Sequence, residues 1–137
     1  MAAVIVGGIP HGRDPRPAHE GALRGSLVEG PFTPVDFSLT DQNGRQFSLS
    51  DQHGKVVMLF FGYTECRDIC PFTLDIWSQV RDDLATQADR VSFAFITLDP
   101  ERDTQEKLGS YLARYSFDLI GLTGSKSDLE SIYDEFD

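Results

Sequence analysis

The sequence predicts an α/β domain with parallel strands at its centre. Three observations carry that expectation. The run VVMLFF at 56–61 is apolar at every position, as a strand covered on both faces must be. From Phe72 to about Gln87, the residues Leu74, Trp77, Val80 and Leu84 keep the three-to-four spacing of an amphipathic helix. A run from Val91 to Leu98, dense in Phe and β-branched residues, follows as the next strand.

A length of 137 residues points to one domain. Met1 to Ile9 is apolar, but much shorter than the roughly 20 residues of a spanning helix, and it lacks the positive leader of an export signal. It reads as the remnant of a trimmed membrane anchor, or as a floppy end. Residues 10–30 are rich in Gly, Pro, Arg and His without a period, so 1–30 is taken as a flexible N-terminal arm and 31–137 as the folded domain. His11 and His19 fall in this arm and read as solvated.

Within the domain, alternation at Phe37-Ser38-Leu39 and again at Gln46-Phe47-Ser48-Leu49 brackets the turn residues Asp41-Gln42-Asn43-Gly44. That is a β-hairpin pattern, with Asn43-Gly44 as the tight turn. The stretch 50–55 is a connection with a short helical turn, leading into the strand at 56–61. After the strand at 91–98, Asp103 and Glu106 fit a capping box for a helix carrying Leu108, Tyr111, Leu112 and Tyr115. The acidic loop 99–103 serves either as that cap, with a local Arg102 ion pair, or as a support or docking segment beside a site. A short strand at 118–122 and a helix at 125–136, with Leu129, Ile132, Tyr133 and Phe136, close the chain.

The chemistry concentrates at 62–71, GYTECRDICP, between the buried strand and the first helix. Both cysteines lie here, with three residues between them. Extended chain would hold their Cα atoms roughly 13 Å apart, so only a turn or a helical start brings them within reach of a disulfide or a shared metal. Pro71 suits the first helical position, which would put Cys70 at the N-cap and Cys66 in the loop above it. The positive end of a helix lowers a thiol pKa. Two thiolates there would suit Cu(I), and they would also form a redox pair. A structural disulfide, or two unrelated thiols, satisfies the bare spacing equally well. Zinc fits poorly, because no nearby His or Cys completes a four-ligand site. The formal net charge of −10, with a sequence pI near 4.6, argues against a nucleic-acid or anionic-lipid partner.

Taken together, the segments FSLTDQNG at 37–44, GKVVMLFFGYTECRDICPFTL at 54–74, TLDPERDT at 97–104 and LIGLTG at 119–124 resemble the Sco/SenC copper chaperones. The likeness covers about residues 32–137. It implies a thioredoxin-like fold with an added N-terminal β-hairpin. It also implies copper as the bound metal, held by Cys66 and Cys70 together with a distant histidine, and the same cysteines can form a disulfide. The implied partner is the copper-site subunit of cytochrome c oxidase, whose dinuclear copper centre such proteins help to assemble. Family members are tethered by one N-terminal span and face the bacterial periplasm or, as the second choice here, the mitochondrial intermembrane space. A monomer is expected.

The sequence departs from the family pattern in two places. Arg67 stands where a proline usually follows the first cysteine. The family histidine lies on a segment beyond the helix at 125–136, so the chain reads as C-terminally truncated, lacking its last strands, with an uncovered sheet edge and exposed apolar surface to be expected. His53 cannot substitute, because it precedes a strand that spans roughly 20 Å while the cysteines follow it. No histidine ligand is assigned. Two functions remain open: copper delivery, with or without reduction of the target's cysteines, and thiol–disulfide oxidoreductase or thiol peroxidase activity.

Overall fold

The structure, a computed structural model, describes residues 4–7 and 34–136. Among these, six strands form one sheet and three α-helices cover it. The strands are β1 (Val4–Gly7), β2 (Ser38–Asp41), β3 (Gln46–Ser48), β4 (Val56–Gly62), β5 (Val91–Thr97) and β6 (Leu119–Thr123). The helices are α1 (Ile69–Leu84), α2 (Gln105–Leu112) and α3 (Lys126–Phe136). The strand order is β1-β4-β5-β6-β2-β3.

The centre is parallel, as the continuous apolar run at 56–61 requires: β4 pairs with β5 and β5 with β6, in register Phe60↔Phe95 and Phe95↔Gly121. Side chains alternate across this sheet. Val57, Leu59, Ala94, Ile96 and Leu122 pack with Leu129 and Ile132 of α3 on one face. Phe60, Phe93, Phe95 and Leu119 pack with Leu74 and Trp77 of α1 and with Leu108, Tyr111 and Leu112 of α2 on the other. Because β4, β5 and β6 advance in one direction, two crossovers of the same hand place α1 and α2 on the same face.

The hairpin of β2 and β3 joins the sheet through antiparallel pairing of β2 with β6. Its turn is longer than the Asn43-Gly44 pair read from sequence. Asp41 carbonyl accepts from Gly44 N–H at 3.0 Å, the Asp41 carboxylate accepts from the N–H groups of Asn43 and Arg45 at 2.8 Å each, and Gly44 has φ +78°. This is a four-residue turn closed by a left-handed glycine. A 3-10 turn at Ser50–Gln52 forms the expected connection into β4.

The helix boundaries differ from the sequence reading at both ends of α1 and at the cap of α2, and the other elements shift by a residue or so. Helix α1 begins at Ile69, so Asp68 and not Cys70 is its N-cap; Cys70 is the second helical residue and Pro71 the third. Pro71 is tolerated there because the first four helical N–H groups lack intrahelical partners. The helix ends at Leu84 rather than near Gln87, and Ala85–Arg90 continues as a 3-10 segment. Helix α2 is capped by Thr104, whose hydroxyl accepts from Lys107 N–H at 3.2 Å, not by Asp103.

Of the segment read as an arm, Val4–Gly7 is a strand pairing antiparallel with β4 from Val56 to Leu59. His11 and His19 lie outside the described residues. No described helix is long and apolar enough to cross a membrane. Among the described residues, the exposed large apolar side chains are Ile69, Phe72 and Ile76 on α1 and Val35, Val56 and Leu98 elsewhere.

Candidate metal centre

The two cysteines meet at the C-terminal end of β4, where the chain turns into α1. Gly62 ends the strand, and its carbonyl accepts from Leu98 N–H at 2.7 Å, which keeps β4 and β5 together beyond their last paired residues. The next four residues form a turn closed by Cys66 N–H donating to Tyr63 carbonyl at 3.1 Å. Helix α1 then starts and brings Cys70 beneath Cys66. Cys70 N–H donates to Cys66 Sγ at 3.3 Å. The spacing that left several pairings open in the sequence therefore resolves into adjacent sulfurs, both as free thiols.

The two thiols are unequal. Cys66 is partly exposed and Cys70 is fully buried among Phe60, Leu74, Phe95 and Trp77. Burial opposes ionisation of Cys66, but the Cys70 thiol and the N–H groups of Cys70, Asp68 and Ile69 donate toward it and outweigh that cost, so its pKa lies below the ordinary thiol value. These donors are the unpaired N–H groups of a helix start, which favour negative charge. Burial pushes the Cys70 thiol up to about 11, and its hydrogen bond to Cys66 adds to the shift. Cys66 is therefore the sulfur that ionises first and meets solvent.

The segment after β5 holds this turn in place. Asp103 is 1% exposed. Its carboxylate accepts from Thr64 N–H at 3.0 Å, from Thr64 Oγ1 at 2.6 Å and from Thr97 Oγ1 at 2.7 Å. Lys107 Nζ donates to Glu65 at 2.8 Å, and Arg102 lies 3.7 Å from the same carboxylate, which lowers the Glu65 pKa, Lys107 contributing most. Arg102 also pairs with Asp99, the local ion pair read from sequence. The loop at 99–103 thus supports the cysteine turn rather than capping α2.

Among the described residues, no group of three or more His, Cys, Asp and Glu is arranged to hold a metal ion. His53 follows the 3-10 turn ahead of β4, so the strand separates it from the cysteines. The pair Cys66 and Cys70 supplies two soft sulfur donors, of which one ionises readily and the other is shielded. That donor set fits Cu(I) better than a divalent ion preferring nitrogen or oxygen. Arg67 is exposed at the turn. The sequence reading gives no role to Gly62, Thr64 or Thr97, and it leaves the loop that contains Asp103 open between a cap and a support beside the site; all four residues lie in the segments 54–74 and 97–104, which carry the family resemblance.

Comparison with known proteins places the chain among relatives. The sequence pattern of a family described as SCO1/SenC matches residues 28–137. A SCO2-like protein of Rickettsia felis is 37% identical over 101 residues, covering 74% of this chain and 49% of its own length. The copper-bound structure of Bradyrhizobium japonicum ScoI is 36% identical with a TM-score of 0.72, covering 77% of this chain and 67% of that one. A structure reported with a disulfide switch in BsSco, a member of the Sco family of cytochrome c oxidase assembly proteins, is 26% identical with a TM-score of 0.63, covering 75% of this chain and 66% of that one. The chain spans about half the length of the curated relatives it matches.

Proposed function

The chain belongs to the SCO1/SenC family, and from that premise we propose that it is a copper-binding chaperone acting in cytochrome c oxidase assembly. Its cargo is Cu(I), held between the sulfurs of Cys66 and Cys70. One observation carries this reading: Cys70 N–H points at Cys66 Sγ from a helix start, so two sulfurs sit together where negative charge is stabilised. The copper-bound ScoI structure, at 36% identity, supports the choice of metal. The target is the copper-site subunit of the oxidase. The working compartment is the periplasmic face of a bacterial inner membrane, with the mitochondrial intermembrane space as the second choice.

Copper binding is tested by titrating the reduced protein with Cu(I) against a chromogenic chelator. One Cu(I) per chain is expected, and none in Cys66→Ala. Binding that survives in the variant removes the reading.

A second reading has its own observation, the unequal acidity of the two thiols. An accessible, acidified Cys66 can attack a disulfide as thiolate, and Cys70 can then resolve the mixed disulfide. In assembly this would reduce the target's cysteines before loading. Metal-free, one-for-one reduction of a peptide disulfide, with the Cys66–Cys70 disulfide as the oxidised product, lost in both Cys66→Ala and Cys70→Ala, would favour reduction; its absence with intact Cu(I) binding would favour delivery alone.

A further inference from the structure

We propose that Asp103 is the positioning residue of the cysteine pair, clamping the turn that carries Cys66 to the end of β5. The proposal rests on the reading of Cys66 and Cys70 as a functional pair. Its basis is geometric. Asp103 is 1% exposed, and an unpaired carboxylate buried to that degree would be costly. It takes three donors on two oxygens, and two of these come from Thr64. Thr64 is the second residue of the turn whose fourth residue is Cys66. The third donor, Thr97 Oγ1, is fully buried at the last position of β5 and itself accepts from Asp99 N–H at 2.9 Å.

The clamp therefore joins the cysteine turn to the rigid centre of the sheet. Cys70 needs no such support, because α1 and the core already fix it. Cys66 is partly exposed and is held by its turn and by the N–H groups at the start of α1. Releasing Thr64 lets Cys66 move while Cys70 stays, and the two sulfurs spend less time within bonding reach. Groups that orient metal ligands from behind typically change affinity 10- to 100-fold when removed.

The test compares Asp103→Ala, Asp103→Asn and Thr64→Val. One readout is the reduction potential of the Cys66–Cys70 disulfide against dithiothreitol: the S–S bond breaks as two electrons and two protons pass from dithiothreitol, which closes to its cyclic disulfide. The other is Cu(I) affinity by chelator competition, read well below each variant's melting temperature. Asp103→Ala should weaken Cu(I) at least tenfold and destabilise the disulfide by a similar factor, about 30 mV. Thr64→Val should shift both in the same direction by less. Asp103→Asn should stay within about threefold of the parent, because its oxygen still serves Thr64 N–H and the Thr64 hydroxyl can reverse to accept from the amide.

Lower melting temperatures with unchanged potential and affinity would overturn the proposal, as would an Asp103→Asn shift as large as that of Asp103→Ala. If Asp103→Ala does not fold, Thr64→Val decides: a shifted potential supports the clamp and an unchanged one removes it. Failure of the parent protein to bind Cu(I) would count against the copper reading alone, since the potential needs no metal.

Discussion

A methyl group at Gly62 would stand 2.8 Å from the Phe95 ring and 3.1 Å from Cys70 Sγ. Glycine is needed there for space, and it lets the buried sulfur press against the end of β4. Gly62→Ala should lower stability by about 1–3 kcal/mol, the usual cost of overpacking, and should displace Cys70; denaturant unfolding and Cu(I) titration of the variant check both. The unequal thiols give a second prediction at this scale. With iodoacetamide and mass spectrometry, Cys66 should be alkylated at pH values below those an ordinary thiol needs. Cys70 should stay unmodified in the folded protein until the pH approaches its value of about 11. Equal rates at the two positions near neutral pH would contradict the geometry.

Helix starts do most of the site's work at the scale of elements. The N-terminal turn of α1 supplies the N–H groups that acidify Cys66, and no side chain caps its N-terminus. Its orphan donors remain turned toward the sulfur. Helix α2 is different, because Thr104 caps it while its neighbour Asp103 turns inward to the cysteine turn. Thr104→Ala should therefore cost about 1 kcal/mol, the usual loss for a cap. It should leave the thiol reactivities unchanged, as chemical denaturation and the same alkylation profile would show. Altered Cys66 alkylation in this variant would mean that cap and clamp are not separate.

The whole molecule buries several acids in their neutral form. Burial pushes the Cys70 thiol up to about 11 and the Tyr133 hydroxyl up to about 12; burial also raises Tyr111 and Tyr115. Each group favours the folded state while neutral. That contribution is fully present below the unfolded value, about 8.5 for a thiol and 10 for a tyrosine, and is lost as pH rises to the folded value. Cys66 has the opposite sign, because its folded pKa is lowered, and it gains stability as pH rises toward the unfolded thiol value. The raised groups outnumber it, so the melting temperature should fall between about pH 9 and 12. Thermal melts across that range test this, and Tyr133→Phe should flatten the upper part of the fall. An unchanged melting temperature at pH 11 would contradict the burial of these hydroxyls.

The sequence by itself determined the elements and the location of the chemistry. The unbroken apolar run at 56–61 requires cover on both faces, the spacing of Leu74 and Trp77 requires a helix packed on one of them, and two cysteines between those elements mark the mouth of the sheet. These features are local periodicities, and they survive without knowledge of what they pack against. Tertiary structure alone decided what Asp103 does. Asp103 and Thr104 are both competent caps standing side by side, and sequence cannot choose between them. The choice follows from the end of β5, where Thr97 and Thr64 offer a buried carboxylate three donors that a solvent-facing cap would not find. The start of α1 was decided in the same way: Pro71 fits any of the first helical positions, and the approach of Cys70 N–H to Cys66 Sγ sets the one it takes.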